Sequence, residues 1–120
     1  MGQLDIRQDV HDGAIVVSAE GEVDSGNVGE LAAHLDEARG AAATSQRRLL
    51  VIELDRVKYF GSAGLSAVLD CHERGGVEGV TVRLAASNTE VLRPIEVTKL
   101  DEVLHLYDTV AAATHDDGRD

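Results

Sequence analysis

The sequence predicts a single α/β domain built on a mixed β-sheet of about four to five strands. Three observations support this fold class. A chain of 120 residues is long enough for one compact core and too short for two. Strand-like segments alternate with helix-like segments after an opening pair of strands. The almost continuously apolar residues 49–54 are typical of a strand that is covered on both faces. We therefore expect parallel central strands joined by right-handed crossovers.

The chain is expected to open with a β-hairpin. Leu4 and Ile6 alternate with polar residues in the first strand, which covers residues 3–10. The letters HDG at residues 11–13 predict a tight turn, and residues 14–23 form the returning strand.

A first helix is predicted within residues 28–43, where apolar residues recur at intervals of three and four. Asp24, Ser25 and Asn27 are its candidate N-terminal caps. The segment GAAATSQ, residues 40–46, is expected to be a loop. The apolar stripe consists of Val28, Leu31, Ala32, Leu35 and Ala38.

The central strand is predicted over residues 47–57, and a second helix follows over residues 62–76. Ser62 stands at the start of this helix, and either Gly75 or Gly76 is expected to end it. The apolar stripe of this helix consists of Leu65, Val68, Leu69 and His72.

The last third of the chain predicts four shorter elements and a tail. Pro94 is expected to kink the third helix or to confine it to short segments, and Asn88 is its candidate cap. The charged residues 116–120 are expected to be frayed. The four elements are a strand at 79–87, a helix at 88–98, an edge strand at 103–109 and a closing helix at 110–115.

Composition excludes several classes of function. The net charge of −11 would repel a nucleic-acid backbone, and an aromatic content of 2% without Trp leaves few platforms for stacking bases or sugars. The sequence has no apolar run of about 18 residues and its first ten residues are unlike a secretory signal, so we expect no membrane partner and a cytoplasmic location. The single cysteine, Cys71, fits a small packed core residue in a reducing compartment.

The common catalytic arrangements are missing as well. A nucleophile elbow around Ser62 would need glycine at the position of Phe60. Asp55 lacks the acidic cluster and the lysine expected around a phosphoacceptor aspartate. No loop has the glycines and lysine of a phosphate-binding loop. We therefore expect no enzyme activity, no cofactor and no metal. The five histidines, which lack metal-ligand spacing, are His11, His34, His72, His105 and His115.

Two explanations of Ser62 remain open from spacing alone. Small residues around it could simply let the helix begin close to the sheet, with Ser62 as its N-cap. Alternatively, a phosphate on Ser62 would lie near the positive end of the helix dipole and its free N–H groups, so that a phosphorylated form could be accommodated without refolding.

Three segments of the chain carry a family resemblance when they are taken together. They are AEGEVDSGNVGELAAHL, LLVIELDRVKYFGSAGLSAVLDCHERG and VLRPIEVTKLDEVLHLYDTV. This combination resembles the STAS domain of bacterial anti-sigma factor antagonists. Their order matches the family and the resemblance covers residues 4–114, which leaves residues 115–120 as a frayed acidic tail. The resemblance implies a STAS domain without a transmembrane part.

Two family signatures can be placed on this sequence. Gly-Glu-hydrophobic-Asp after the second strand matches residues 21–24, and it ends at Asp24. Asp-Ser-[Ser/Thr]-Gly-Leu, whose first serine accepts the phosphate, matches residues 61–65. Serine, glycine and leucine are kept, whereas glycine replaces the aspartate and alanine replaces the second hydroxyl residue. The resemblance thus implies Ser62 as the phosphorylation site and a partner-binding set of Asp24, Gly61, Ser62, Ala63, Gly64 and Leu65.

The resemblance implies a function in partner switching. The unmodified antagonist binds an anti-sigma factor, which is itself a serine protein kinase, and thereby releases a sigma factor. Phosphorylation of Ser62 breaks the contact and a serine phosphatase restores it. Two alternatives remain: a constitutive STAS interaction domain that has lost the phosphate switch, and a small nucleotide-binding or catalytic domain, which would need a pocket with convergent polar groups.

Overall fold

The computed structural model describes residues 3–115 as a five-stranded mixed sheet with helices on both faces. The strands lie in chain order, β1 is antiparallel to β2, and the other neighbours are parallel. None of the described helices is long and apolar enough to cross a bilayer. The elements are β1 (Leu4–His11), β2 (Ala14–Val23), α1 (Val28–Ala43), β3 (Leu49–Phe60), α2 (Ser62–Glu78), β4 (Thr81–Ala85), α3 (Thr89–Val97), a 3-10 turn (Leu100–Glu102), β5 (His105–Tyr107) and α4 (Val110–His115).

The predicted fold class is confirmed, including the opening hairpin and the central position of β3. The hairpin closes through a two-residue turn in which Asp12 and Gly13 have φ of 51° and 80°. Positive φ at both turn residues matches the right-handed twist of the flanking strands, which explains why Asp-Gly suits this turn.

The strand β3 is buried on both faces because its alternate side chains enter two different clusters. Leu50 and Ile52 join the main core, to which α1, α2 and α3 contribute. Leu49 and Val51 join a smaller cluster on the opposite face, where α4 contributes Ala113. The nearly continuous apolar run in the sequence is the consequence of this double coverage.

The helix α1 extends into a segment for which the sequence predicts a loop. The expected loop over residues 40–46 is wrong for its first four residues, because α1 continues to Ala43. Ala42 is fully buried in the main core. Burial of this last turn outweighs the low-complexity composition that suggested a loop.

The helix α2 ends later than predicted, since it continues through Gly75 and Gly76 to Glu78. Its C-cap is Gly79, which has a left-handed φ of 77°. Gly75 has another function: a Cβ there would lie 2.7 Å from Cγ2 of Val82 and 2.9 Å from the carbonyl oxygen of Val80. Its missing side chain lets α2 approach β4 closely, so glycine at this position does not stop the helix.

The C-terminal elements occur in the predicted order, but β4 and β5 are shorter than the predicted strands at 79–87 and 103–109. α3 is a short helix of nine residues that contains Pro94, and it is followed by Lys99 at a φ of 62°. His115 is the last residue of α4, so it belongs to a helix and not to the expected tail. The rest of that tail, residues 116–120, lies outside the described residues.

Cys71 is a buried core residue, as predicted. Burial raises the pKa of the Cys71 thiol to about 11, although the nearby Arg39 acts in the opposite direction. Arg39 is itself buried between α1 and α2, where its guanidinium donates to Asp36 at 2.9 Å and to Glu78 at 2.7 Å. These bonds give the buried cation the partners that it needs.

We predict opposite effects of alanine at the two neighbouring glycines of α2. Gly75→Ala should lower the free energy of unfolding by about 1–3 kcal/mol, because its Cβ would push α2 away from β4. Gly76→Ala should leave it unchanged or raise it by up to about 1 kcal/mol, because the site is open and alanine favours the helix. Urea unfolding of the two variants provides the comparison, and a Gly75→Ala protein as stable as Gly76→Ala would contradict the close-approach argument.

Candidate functional site

The site is built where the parallel strands β2 and β3 end side by side. Val23 is paired with Phe60, the last residues of these two strands. Just beyond them, the backbone N–H of Gly61 donates to the carbonyl oxygen of Val23 at 3.2 Å. This bond fixes the start of α2 beside the turn that begins at Asp24. The predicted pair of Asp24 and Ser62 is therefore positioned at two adjacent strand ends, where α/β proteins commonly carry their functional loops.

Asp24 organises its own turn. Its Oδ1 accepts the backbone N–H of Gly26 at 2.8 Å and that of Asn27 at 3.1 Å. Asn27 occupies the N-cap position of α1, but its side chain reaches backwards, accepting from the N–H of Asp24 and donating to the carbonyl of Glu22. Of the three predicted caps, Asp24 and Asn27 thus hold the turn before α1, and neither makes a side-chain cap bond to the helix itself.

Ser62 is the first residue of α2 and its side chain is exposed. The expectation that it is the N-cap is wrong, because Gly61 holds that position with extended backbone angles. The Gly61 carbonyl already accepts the N–H of Leu65 at 3.1 Å, whereas the N–H groups of the first turn point out of the helix end, as they do in any helix. No acidic side chain lies in this first turn. The hydroxyl therefore stands at a helix end that favours negative charge.

The remaining motif residues divide into a reachable group and a packed group. Gly64 and Leu65 are buried. A Cβ at position 64 would lie 2.8 Å from both Phe60 and Val23, so glycine is needed for the helix to sit on these side chains. The structure thus leaves Gly61, Ser62 and the half-buried Ala63 as the motif residues that a partner can reach directly.

The outer face of α2 continues from Ser62 along the helix. Successive spacings of four, four, three and four residues place the members of this face in one row. Asp70 also pairs with Arg74 at 2.9 Å. We use the name Ser62 surface for the Asp24 turn, residues 61–63 and this row, which consists of Ser62, Ser66, Asp70, Glu73 and Val77, all exposed.

Sequence reasoning missed Tyr59, which lies at the border of this surface and is 54% exposed. Its hydroxyl would lie 2.9 Å from a Cβ at position 61, so the ring covers the space that a side chain there would enter. Tyr59 also lines a groove of about 410 Å³ between the end of β3 and α3. A signal was present, since the chain has only three aromatic residues among Phe, Trp and Tyr and one of them directly precedes the strand end.

The alternative sites found in the sequence have structural functions. Oδ1 of Asp55 accepts the backbone N–H of Ser87 at 2.6 Å and its hydroxyl at 3.1 Å. Asn88 donates to the carbonyls of Leu54 and Val57 at 3.0 and 2.8 Å. Together they hold the connection from β4 to α3 against β3. Among residues 3–115, no group of three or more His, Cys, Asp or Glu side chains is placed to hold a metal ion.

We predict that Asp24 is needed for the shape of its turn. Asp24→Ala removes the acceptor of two backbone N–H groups and should lower the free energy of unfolding by about 1 kcal/mol. Asp24→Asn keeps an acceptor oxygen and should lower the free energy of unfolding by a smaller amount. Ser25→Ala, an exposed change in the same turn, is the control and should have no effect in urea unfolding. Equal stability of the Asp24→Ala and Ser25→Ala proteins would show that the turn does not need this carboxylate.

Comparison with known proteins identifies the family of the chain. The STAS domain family model matches residues 5–113. RsfB of Mycobacterium tuberculosis H37Rv, an anti-sigma-F factor antagonist, is 33% identical over 100 residues, covering 83% of this chain and 78% of RsfB. RsfA of the same strain, also an anti-sigma-F factor antagonist, is 30% identical over 103 residues, covering 86% of this chain and 79% of RsfA.

A solved structure extends the similarity to the fold. The crystal structure of an anti-sigma factor antagonist from Mycobacterium paratuberculosis is 30% identical, with a TM-score of 0.83, over 92% of this chain and 91% of that one. Family model, relatives and structure point the same way. The chain belongs to the STAS domain family and, within it, to the anti-sigma factor antagonists.

Proposed function

We propose that this protein binds an anti-sigma factor through the Ser62 surface and so releases a sigma factor. The observation that carries the proposal is the exposed Ser62 at the first turn of α2, held beside the Asp24 turn by the bond from Gly61 to Val23. The antagonists to which the chain is similar give the proposal its partner class. This function needs a contact surface but no catalytic group, and we assign neither cofactor nor enzyme activity to the chain.

Phosphorylation of Ser62 by the anti-sigma factor, acting as a serine kinase, is the proposed switch. A phosphate adds a charge of about −1.5 to −2, and burying that charge unpaired in an interface costs several kcal/mol. A loss of only about 1.4 kcal/mol is already tenfold in affinity. The modified protein would therefore release the anti-sigma factor, and a serine phosphatase would restore binding, all in the cytoplasm.

The helix end favours the modified state inside this chain. The phosphate would lie near the positive end of the α2 dipole, where the first turn carries no acidic residue. Gly61 also removes the carboxylate that the family signature has next to the serine. Removing that negative charge makes the phosphate easier to hold, while it takes away a group by which a kinase can recognise the site.

A constitutive interaction domain is the second candidate function. Two positions of the signature favour it: residue 61 lacks the acid and Ala63 lacks the second hydroxyl group. In that case the Ser62 surface would bind its partner in the same way, but no phosphate would be added at Ser62. Binding and phosphorylation must therefore be measured separately.

We predict that a negative charge at position 62 disrupts partner binding. Ser62→Asp should weaken binding of the cognate anti-sigma factor at least about tenfold, because the new carboxylate would be buried against the partner. Gln46→Asp is the matched control: it adds the same charge on the exposed loop before β3, at the opposite end of that strand. Titration calorimetry measures both. Unchanged affinity of Ser62→Asp would exclude this surface as the binding site.

We predict that Ser62 is phosphorylated by the cognate kinase, more slowly than in a Gly61→Asp variant. The aspartate restores the family signature and with it the carboxylate by which the kinase can recognise the site. Ser62→Ala should abolish the modification, and Ser66→Ala, one turn along the same exposed face, should retain it. Intact mass and site mapping after incubation with ATP follow the reaction.

The Tyr59 ring requires one further control for this experiment. A side chain at position 61 would contact the ring, so Gly61→Asp should also be made together with Tyr59→Ala, which clears the space. Absence of phosphate on Ser62 in all of these proteins would leave the constitutive interaction domain as the function.

A further inference from the structure

The strand β1 leaves one long edge of the sheet open. It is the first strand in the sheet order and, among residues 3–115, it pairs only with β2. Its eight residues are exposed or half-buried, and Val10 is 70% exposed. β5, at the opposite edge, has only three residues. A long edge with unpaired backbone groups is a template for another strand unless something covers it.

The backbone groups that face this open edge can be identified. The two-residue turn is flanked by the pair of His11 and Ala14, and such turns close with a hydrogen-bonded pair. At the other end, the N–H of Glu22 donates to the carbonyl of Gln3 at 2.9 Å. Odd-numbered residues of β1 therefore point their backbone groups toward β2. Because these directions alternate along a strand, the outward-facing groups belong to Leu4, Ile6, Gln8 and Val10.

The sequence of β1, LDIRQDVH, is complementary to itself when two copies run antiparallel about Gln8. This register places outward-facing backbone groups opposite each other, as a hydrogen-bonded ladder requires. It also matches the side-chain pairs within residues 5–11 by chemistry, with an apolar pair, a polar pair, a pair of opposite charge and a pair of an aspartate with a histidine. The pairs are Ile6 with Val10, Gln8 with Gln8, Arg7 with Asp9, and Asp5 with His11.

The neighbouring registers that the backbone allows lack this match. Pairing about Arg7 would place Arg7 opposite itself and Asp5 opposite Asp9. Pairing about Asp9 would place Asp9 opposite itself and Arg7 opposite His11. Like charges directly opposite each other destabilise a strand pair. The register about Gln8 is thus selected over both alternatives by charge.

Two charged residues of β1, Arg7 and Asp9, have no charged partner among residues 3–115. Arg7 lies opposite Ser18, Asp9 lies opposite Val16, and Asp5 lies opposite the like-charged Glu20. No ion pair or side-chain hydrogen bond found in the described part of the chain involves Arg7 or Asp9. A second copy would supply both with an opposite charge.

We propose that β1 binds β1 of a second copy of this chain, in antiparallel register about Gln8, to form a symmetric dimer with a continuous ten-stranded sheet. The dimer gives Val10 an apolar neighbour and covers the open edge. It uses no residue of the Ser62 surface, so it stands independently of the proposed function.

Charge reversal tests the register directly. Arg7→Asp or Asp9→Arg alone would convert both symmetric Arg–Asp pairs into like-charge pairs and should weaken dimerisation at least about tenfold. The double variant Arg7→Asp/Asp9→Arg restores opposite charges and should dimerise like the native protein. An equimolar mixture of the two single variants should form heterodimers, because each supplies the charges that the other needs. Sedimentation velocity over a range of protein concentrations measures all four samples.

Gln8→Pro provides a test that does not depend on charge. Its lost N–H faces the open edge, so the bonds between β1 and β2 remain, but pairing with a second copy is blocked. The variant should keep the native circular dichroism spectrum and be monomeric. The proposal is overturned if the native protein stays monomeric up to millimolar concentration, if the single charge reversals dimerise as well as the native protein, or if a folded Gln8→Pro protein still dimerises.

Discussion

The geometry of the Ser62 surface depends on how closely α2 can approach the ends of β2 and β3. Gly64 has no side chain, and this lets the first turn of the helix rest on Val23 and Phe60. The bond from Gly61 to Val23 then fixes the register of the helix start against β2. A larger residue at position 64 would lift the first turn away from both strands. The Gly-Leu half of the family signature is thus explained by packing, and the serine half by exposure.

Within this surface, Asp24 and the helix end at Ser62 differ in whether their polar groups already have hydrogen-bond partners. One carboxylate oxygen of Asp24 holds two backbone N–H groups, so this residue is committed to the shape of its turn. Ser62 is exposed at a helix end whose N–H groups are not used by the helix. A rigid turn beside an accessible hydroxyl is suited to regulation, because a change of charge at one position can alter binding while the surrounding surface keeps its shape. This agrees with a family of regulators rather than enzymes.

Local sequence patterns were sufficient for most of the fold. Alternation with an Asp-Gly turn predicted the hairpin, and the continuous apolar run predicted the central strand, because both patterns follow directly from burial. The incorrect predictions concern residues whose function depends on how closely two secondary-structure elements pack. Gly75 was taken for a helix stop, since a glycine needed for close packing and a glycine needed for a left-handed cap are identical in sequence. Ser62 follows the N-cap of α2 by one residue instead of occupying it. The proximity of the Tyr59 ring to position 61 depends on the folded shape of the loop.

The burial of Cys71 has a consequence for the chemical reactivity of this chain. With a pKa of about 11, only on the order of one thiol in ten thousand is ionised at neutral pH. Oxidants and alkylating agents react with the thiolate and need access to it, and this thiol offers neither. The fold therefore protects the single sulfhydryl group of this protein against oxidants and alkylating agents.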